Sequence, residues 1–99
     1  MWQEHYQNGL KQLDKMQFAE AEHSFLQALA CAKKDFKHTD TRIPDTFAFL
    51  GRSLLLQKKK EEAVPALRQA VAIAGHMQHR NKDIAITDYL WAFIDTSAD

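Results

Sequence analysis

The chain has 99 residues, 45% of them apolar, with only three glycines and two prolines, so it reads as one helix-rich domain with a modest core and not as a disordered chain. Thirteen basic and thirteen acidic residues cancel, which leaves no global field drawing the protein to nucleic acid or to an anionic membrane. One cysteine, Cys31, excludes an internal disulfide; no apolar run reaches the ~18 residues of a membrane span, and Met1-Trp2-Gln3-Glu4-His5 lacks the features of a secretion signal, so the expected compartment is the cytoplasm.

In chain order, Tyr6, Leu10 and Leu13 recur at helical steps and predict a first helix over about 2–15, interrupted by no breaker but Gly9. A short turn at Lys15 to Gln17 leads into a second helix, about 18–35, whose apolar stripe is Phe18, Ala21, Phe25, Ala28, Leu29 and Ala32. Lys33 and Lys34 close it where the helix dipole favours cations. The segment from Phe36 to Ile43 has no periodicity and forms a loop, with Thr41 placed to start a helix and Pro44 in its first turn, where a missing donor costs least. The third helix, about 42–57, carries Phe47, Leu50, Leu54 and Leu55. The fourth, about 60–79, opens on Glu61 and Glu62 and carries Ala63, Leu67, Ala70, Val71 and Ile73, with Pro65 predicting a slight bend early in it. A fifth, about 83–96, is unusually apolar, holding Ile84, Ile86, Tyr89, Leu90, Trp91, Phe93 and Ile94.

These elements repeat at a spacing of 42 residues: Gly9 recurs as Gly51, Ala21 as Ala63, Phe25 as Leu67, Ala28 as Ala70, Leu29 as Val71 and Ala32 as Ala74. A glycine answered by an alanine, a large apolar residue and another small one is what two antiparallel helices need to pack closely. The fold class is therefore all-α, built by stacking helical hairpins. Repeat one spans about 2–35, repeat two about 42–79, and a half repeat about 83–96, all within a single domain.

Few residues suggest chemistry. His76 and His79 stand three apart on one helix, a spacing open to a metal, but no third ligand is near and a solvated helix end explains them. Cys31 shares its helix with Ala28 and Ala32, where a small thiol packs inertly. Lys58-Lys59-Lys60 is the only basic run; it has no interleaved aromatics and reads as a solvated turn, not as a nucleic-acid platform. With no phosphate loop, nucleophile elbow or paired-histidine zinc motif, the chain is expected to be no enzyme and to hold no cofactor or metal.

The second unit resembles the tetratricopeptide repeat (TPR) family, whose pattern of an aromatic, Leu-Gly, an aromatic and later Ala and Phe is met by Phe47, Leu50-Gly51, Leu54, Ala63 and Leu67. The first unit keeps Gly9, Ala21 and Phe25 but has His5, Asn8 and Gln12 where apolar residues are usual. The family's repeat is about 34 residues. The longer spacing here, with His38-Thr39-Asp40 and the stretch from Lys60 to Ala70, looks like the kinesin-light-chain-like variety. The resemblance implies an α-solenoid of two hairpins plus the fifth helix, with a concave groove lined by the first helix of each hairpin. It places Gln3, Tyr6, Leu10, Leu13, Asp14, Asp45, Ala48, Arg52, Leu55, Leu56, Leu90 and Ile94 along that groove. Tyr6 and Leu10 stand where relatives that grip acidic carboxyl tails use Lys and Asn, which argues against such a clamp.

The implied function is a non-catalytic protein-interaction module that takes a helical or extended apolar peptide in its groove. The second reading is a self-associating structural or regulatory homodimer. Trp91, aligned with Phe49, should turn inward, leaving Tyr89 and Phe93 to contact a further repeat, a second copy or another protein, unless the helix folds back and buries both faces. Neither nucleic acid nor membrane is an expected partner.

Overall fold

Residues 1–37 and 40–77 are described in the computed structural model. They form four α-helices, α1 (Trp2–Asp14), α2 (Phe18–Asp35), α3 (Arg42–Leu56) and α4 (Lys60–Met77). The expected fifth helix lies outside the described residues. The chain runs α1 against α2, α2 against α3 and α3 against α4, and α1 meets α3 along a narrow seam. That is two antiparallel hairpins laid side by side.

Each hairpin closes through one side chain seated on a glycine. A Cβ added to Gly9 would lie 2.6 Å from Cε1 and Cζ of Phe25, and one added to Gly51 would lie 2.5 Å from Cγ and Cδ2 of Leu67. Phe25 and Leu67 are both fully buried, as are Ala21 and Ala63 one turn earlier on the same helices. The 42-residue spacing read in the sequence is thus a spatial repeat of the same interlock. Glycine within a helix costs about 1 kcal/mol relative to alanine, and here the loss is offset by the close approach it permits.

The repeat extends to backbone geometry that no side-chain pattern announces. Met16 and Lys58, again 42 apart, are the non-glycine residues with positive φ among the described residues, at 61° and 64°. In each turn the residue after the left-handed one closes back on the helix, Gln17 N–H to Gln12 O and Lys59 N–H to Leu54 O, while the left-handed residues themselves bond Leu13 O and Leu55 O. This is the paired C-terminal closure in which glycine usually occupies the left-handed position.

The start of α3 differs from expectation in one respect. Thr41 lies in the helical region (φ −65°, ψ −20°) and its side chain makes no capping bond. Asp40, one residue earlier, accepts the Arg42 N–H at 2.9 Å instead. A carboxylate two residues back reaches that donor through an Asx turn and also suits the positive end of the helix. α4 runs unbroken through Pro65, whose ring is exposed and deprives only the Glu61 carbonyl of a partner.

The two hairpins are joined by three rings. Phe25 of α2 stacks on Phe49 of α3 (centroids 5.9 Å, 21°), and Tyr6 of α1 meets both edge-on, at 5.9 and 5.8 Å. Buried leucines complete the core, with Leu29 of α2 and Leu50 and Leu54 of α3 around Leu67 and Ala66 of α4. At the equivalents of Leu50 and Leu54, α1 carries Asn8, which is exposed, and Gln12, which is half-buried. With its amide oriented to satisfy its neighbours, Gln12 donates to Ser24 Oγ at 2.7 Å and to the carbonyls of Glu20 and Asn8. The outer face of α1 is therefore polar and self-satisfied.

The interlock yields a double-mutant test. Gly51→Ala should destabilise the native protein by about 1–3 kcal/mol, as overpacking does. In a Leu67→Ala background, where the colliding side chain is gone, the same change should be neutral or stabilising. Denaturant titration of the four proteins measures the coupling; an equal cost in both backgrounds would show that Leu67 does not seat on the glycine. Separately, Lys58→Gly should raise stability by up to about 1 kcal/mol, because a left-handed conformation costs a side-chain-bearing residue about 1–2 kcal/mol and the freer unfolded chain returns part of it. A lower melting temperature would mean that Lys58 is not left-handed in solution.

Candidate functional site

Leu10 and Leu13 on α1 and Phe49, Arg52 and Leu56 on α3 project toward one another along the seam where the first helices of the hairpins meet. Together with Lys11 and Asp14 they line an open depression of about 410 Å³. Its walls are mainly apolar, with charge supplied by Lys11, Asp14 and Arg52. Leu56, at the last residue of α3, is 48% exposed. Leu10 and Leu13 are half-buried and pack against the core, so they contribute both to the groove and to the stability of the hairpin.

Five of the residues placed on the groove from sequence are thus brought together: Leu10, Leu13, Asp14, Arg52 and Leu56. Tyr6 belongs to the ring cluster beside it, Leu55 packs half-buried against the core, and Asp45 is half-buried outside the lining. Gln3 is exposed beside shallow recesses near the start of α1, away from the depression. Ala48 is a correction. Only 2% exposed, it packs on Ala70 between α3 and α4 and offers nothing to a ligand. Leu90, Ile94, Tyr89, Phe93 and Trp91 lie outside the described residues, and so does His79; nothing is described of the His76 side chain.

Two lining residues, Lys11 and Phe49, were missed. Phe49 had a signal, since positions 49, 52 and 56 make one stripe at three- and four-residue steps. Its neighbour Ala48, about 100° round the helix, belongs to the stripe facing α4. Phe49 does turn toward the preceding hairpin, as its place in the repeat implied.

Polar clamps tie α3 to the first hairpin at both ends of that helix. At one end Trp2 Nε1–H donates to Thr46 Oγ1 at 2.7 Å, and the Thr46 hydroxyl donates to Arg42 O at 2.6 Å. Trp2 stacks on Tyr6 (4.6 Å), and the Arg42 guanidinium lies 3.6 Å from the centre of the Phe36 ring. Arg42 also grips Asp40 with two parallel bonds, Nε to Oδ1 at 2.9 Å and Nη2 to Oδ2 at 2.8 Å. At the other end Gln57 Nε2 donates to Glu22 Oε1 at 2.8 Å, and Lys59 pairs with the same carboxylate at 3.2 Å.

The fork from the Arg42 side chain is the main cause that holds the Asp40 carboxyl at about 2, below its ordinary 3.8; partial burial opposes it, and the Arg42 N–H and charge assist it. Arg42 is raised in turn, first by the same hydrogen bonds. Among the described residues no cluster of His, Cys, Asp or Glu is arranged to hold a metal. Cys31 is half-buried and unpaired. No helix among the described residues is long and apolar enough to cross a membrane.

No protein-family model matches the sequence, and no curated protein matches it. Among solved structures, the fold is similar to a crystal structure from Podosopora anserina assigned as a kinesin light chain with nearly identical TPR-like repeats. The two superpose with a TM-score of 0.81 at 18% sequence identity, over 97% of this chain and 47% of that one. The chain thus has a TPR-like fold and spans about half the length of that structure's chain.

The Asp40 clamp predicts an acid-dependent stability. Because the folded carboxyl titrates below its ordinary value, its contribution is complete above about pH 4 and is lost as pH falls toward 2. The melting-temperature gap between the native protein and Asp40→Asn should therefore be widest above about pH 4 and close by pH 2. A gap that does not change with pH would show that the charge of Asp40 is not what clamps α3.

Proposed function

We propose that this domain is a non-catalytic protein-interaction module that accepts a helical or extended apolar peptide along the α1–α3 seam. The observation that carries the reading is the open depression lined by Leu10, Leu13, Phe49 and Leu56, with Lys11, Asp14 and Arg52 among them. A partner that covers Leu56 and the outer edges of Leu10 and Leu13 removes apolar surface from water, at roughly 25 cal/mol per Å². The charged residues supply orientation, since a misplaced peptide sets apolar groups or like charges against them. The TPR-like fold supports the reading, because stacked hairpins present a concave face as a preformed surface. We further infer that the repeat is the long, kinesin-light-chain-like variety, on the strength of the 42-residue recurrence of Gly9 at Gly51 and of Met16 at Lys58.

The test is a selection of peptides from a displayed random library on the immobilised chain, followed by affinity measurements against Leu56→Lys. Lysine at the last residue of α3 suits the helix dipole, and the position is half-exposed, so the fold should be retained by circular dichroism. Enriched peptides should be rich in apolar residues and lose at least about tenfold in affinity to the variant, equivalent to about 1.4 kcal/mol. Failure to enrich any peptide, or enriched peptides indifferent to Leu56, would overturn the groove assignment.

A further inference from the structure

A second concavity lies on the opposite side of α3. Phe47 and Phe49 leave that helix about 200° apart, so while Phe49 faces α1, Phe47 points into the angle between α2 and α4. The depression there holds about 500 Å³ and is lined by Lys33, Phe36, Ile43, Phe47, Gln69 and Ile73. The last turn of α2 and the following Phe36, which meets Trp2 of α1 edge-on at 6.1 Å, form one wall, Ile43 and Phe47 of α3 the floor, and Gln69 and Ile73 of α4 the other wall.

The lining has the composition of a small-molecule site, four apolar side chains and two polar ones, at a volume within the range of about 300–1,000 Å³ common to such sites. Its two polar groups are a cation and an amide. Lys33 Nζ stands 5.3 Å from the centre of the Phe47 ring, so the charge is held over the apolar floor. Among the described residues no acidic side chain lines the depression, and the ion pairs join Arg42 to Asp40 and Lys59 to Glu22. The described lining is therefore mainly apolar with one positive charge, that of Lys33.

We propose that this depression binds an amphipathic organic anion, an aromatic or branched apolar body resting on Phe47, Ile43 and Ile73 with its acidic head at Lys33 and Gln69. The ammonium supplies a charge-assisted hydrogen bond and the Gln69 amide a second donor. The apolar body selects against simple inorganic anions, which gain nothing from the floor. This site is separate from the α1–α3 seam and does not depend on the peptide-binding reading.

The experiment is a fluorescence titration of the full chain with anilinonaphthalene sulfonate and with its neutral counterpart N-phenyl naphthylamine. The sulfonate should bind saturably at one site, with an affinity that falls as salt is added. Lys33→Met keeps the stem and removes the charge; it should weaken the sulfonate at least about tenfold, the loss expected of a hydrogen bond to a charged group, and leave the neutral probe within about twofold. Lys33→Arg should retain sulfonate binding. Lys33 is exposed, and circular dichroism of both variants should match the native chain. Absence of saturable sulfonate binding, or equal sulfonate affinity in the native chain and Lys33→Met, overturns the proposal.

Discussion

The contact on which the rest of this structure depends is the seating of one large side chain on one glycine in each hairpin. Phe25 on Gly9 and Leu67 on Gly51 leave no space for even a methyl group. That approach brings the small residues along α2 and α4 into play: Ala21, Ala28, Ala63 and Ala70 are all fully buried. A core made from alanines contributes little area per residue. It is effective here because the helices it joins are close enough for the larger chains to interdigitate at native packing density.

Closing a hairpin fixes α1 to α2 and α3 to α4, but the relation between the two pairs is set by different groups. Phe25 is shared, since the ring that seats on Gly9 also stacks on Phe49 of the next hairpin. One side chain therefore transmits the geometry of the first interlock to the position of α3. The clamps at Trp2–Thr46 and Gln57–Glu22 tie the two ends of α3 to α1 and to α2. Phe49 in turn lines the groove, so the shape of the candidate binding surface follows from core packing and not from a loop.

α3 is the helix that both proposed sites share. Its Phe49 side, with Arg52 and Leu56, opens toward α1, while its Phe47 side opens between α2 and α4. Between them lie Leu50 and Leu54, buried in the core. α1 has no such second side. Asn8 and Gln12 replace the two core leucines, and Gln12 spends its amide on Ser24 and two carbonyls, so that outer face needs no apolar cover. The difference between the repeats is thus where surface chemistry departs from internal symmetry.

Much of the fold was legible in the chain itself. Apolar residues at three- and four-residue steps marked the first three helices and the start of the fourth to within a residue, and the recurrence of Gly9, Ala21 and Phe25 at Gly51, Ala63 and Leu67 marked the hairpins, because close packing leaves a pattern in residue size. The groove was legible only in part. Adjacent helix positions differ by about 100°, so periodicity locates a stripe but not its edges; packing of α4 on one side and α1 on the other decided that Ala48 is core and Phe49 is groove. Tertiary structure also placed the cap on Asp40 and not on Thr41, since a bidentate Arg42 holds that carboxylate in position. It set Met16 and Lys58 in left-handed turns with no glycine to announce them, because the closure of each hairpin demands that bend. And it raised Lys33 over Phe47, two residues from different hairpins that meet only once the hairpins are stacked.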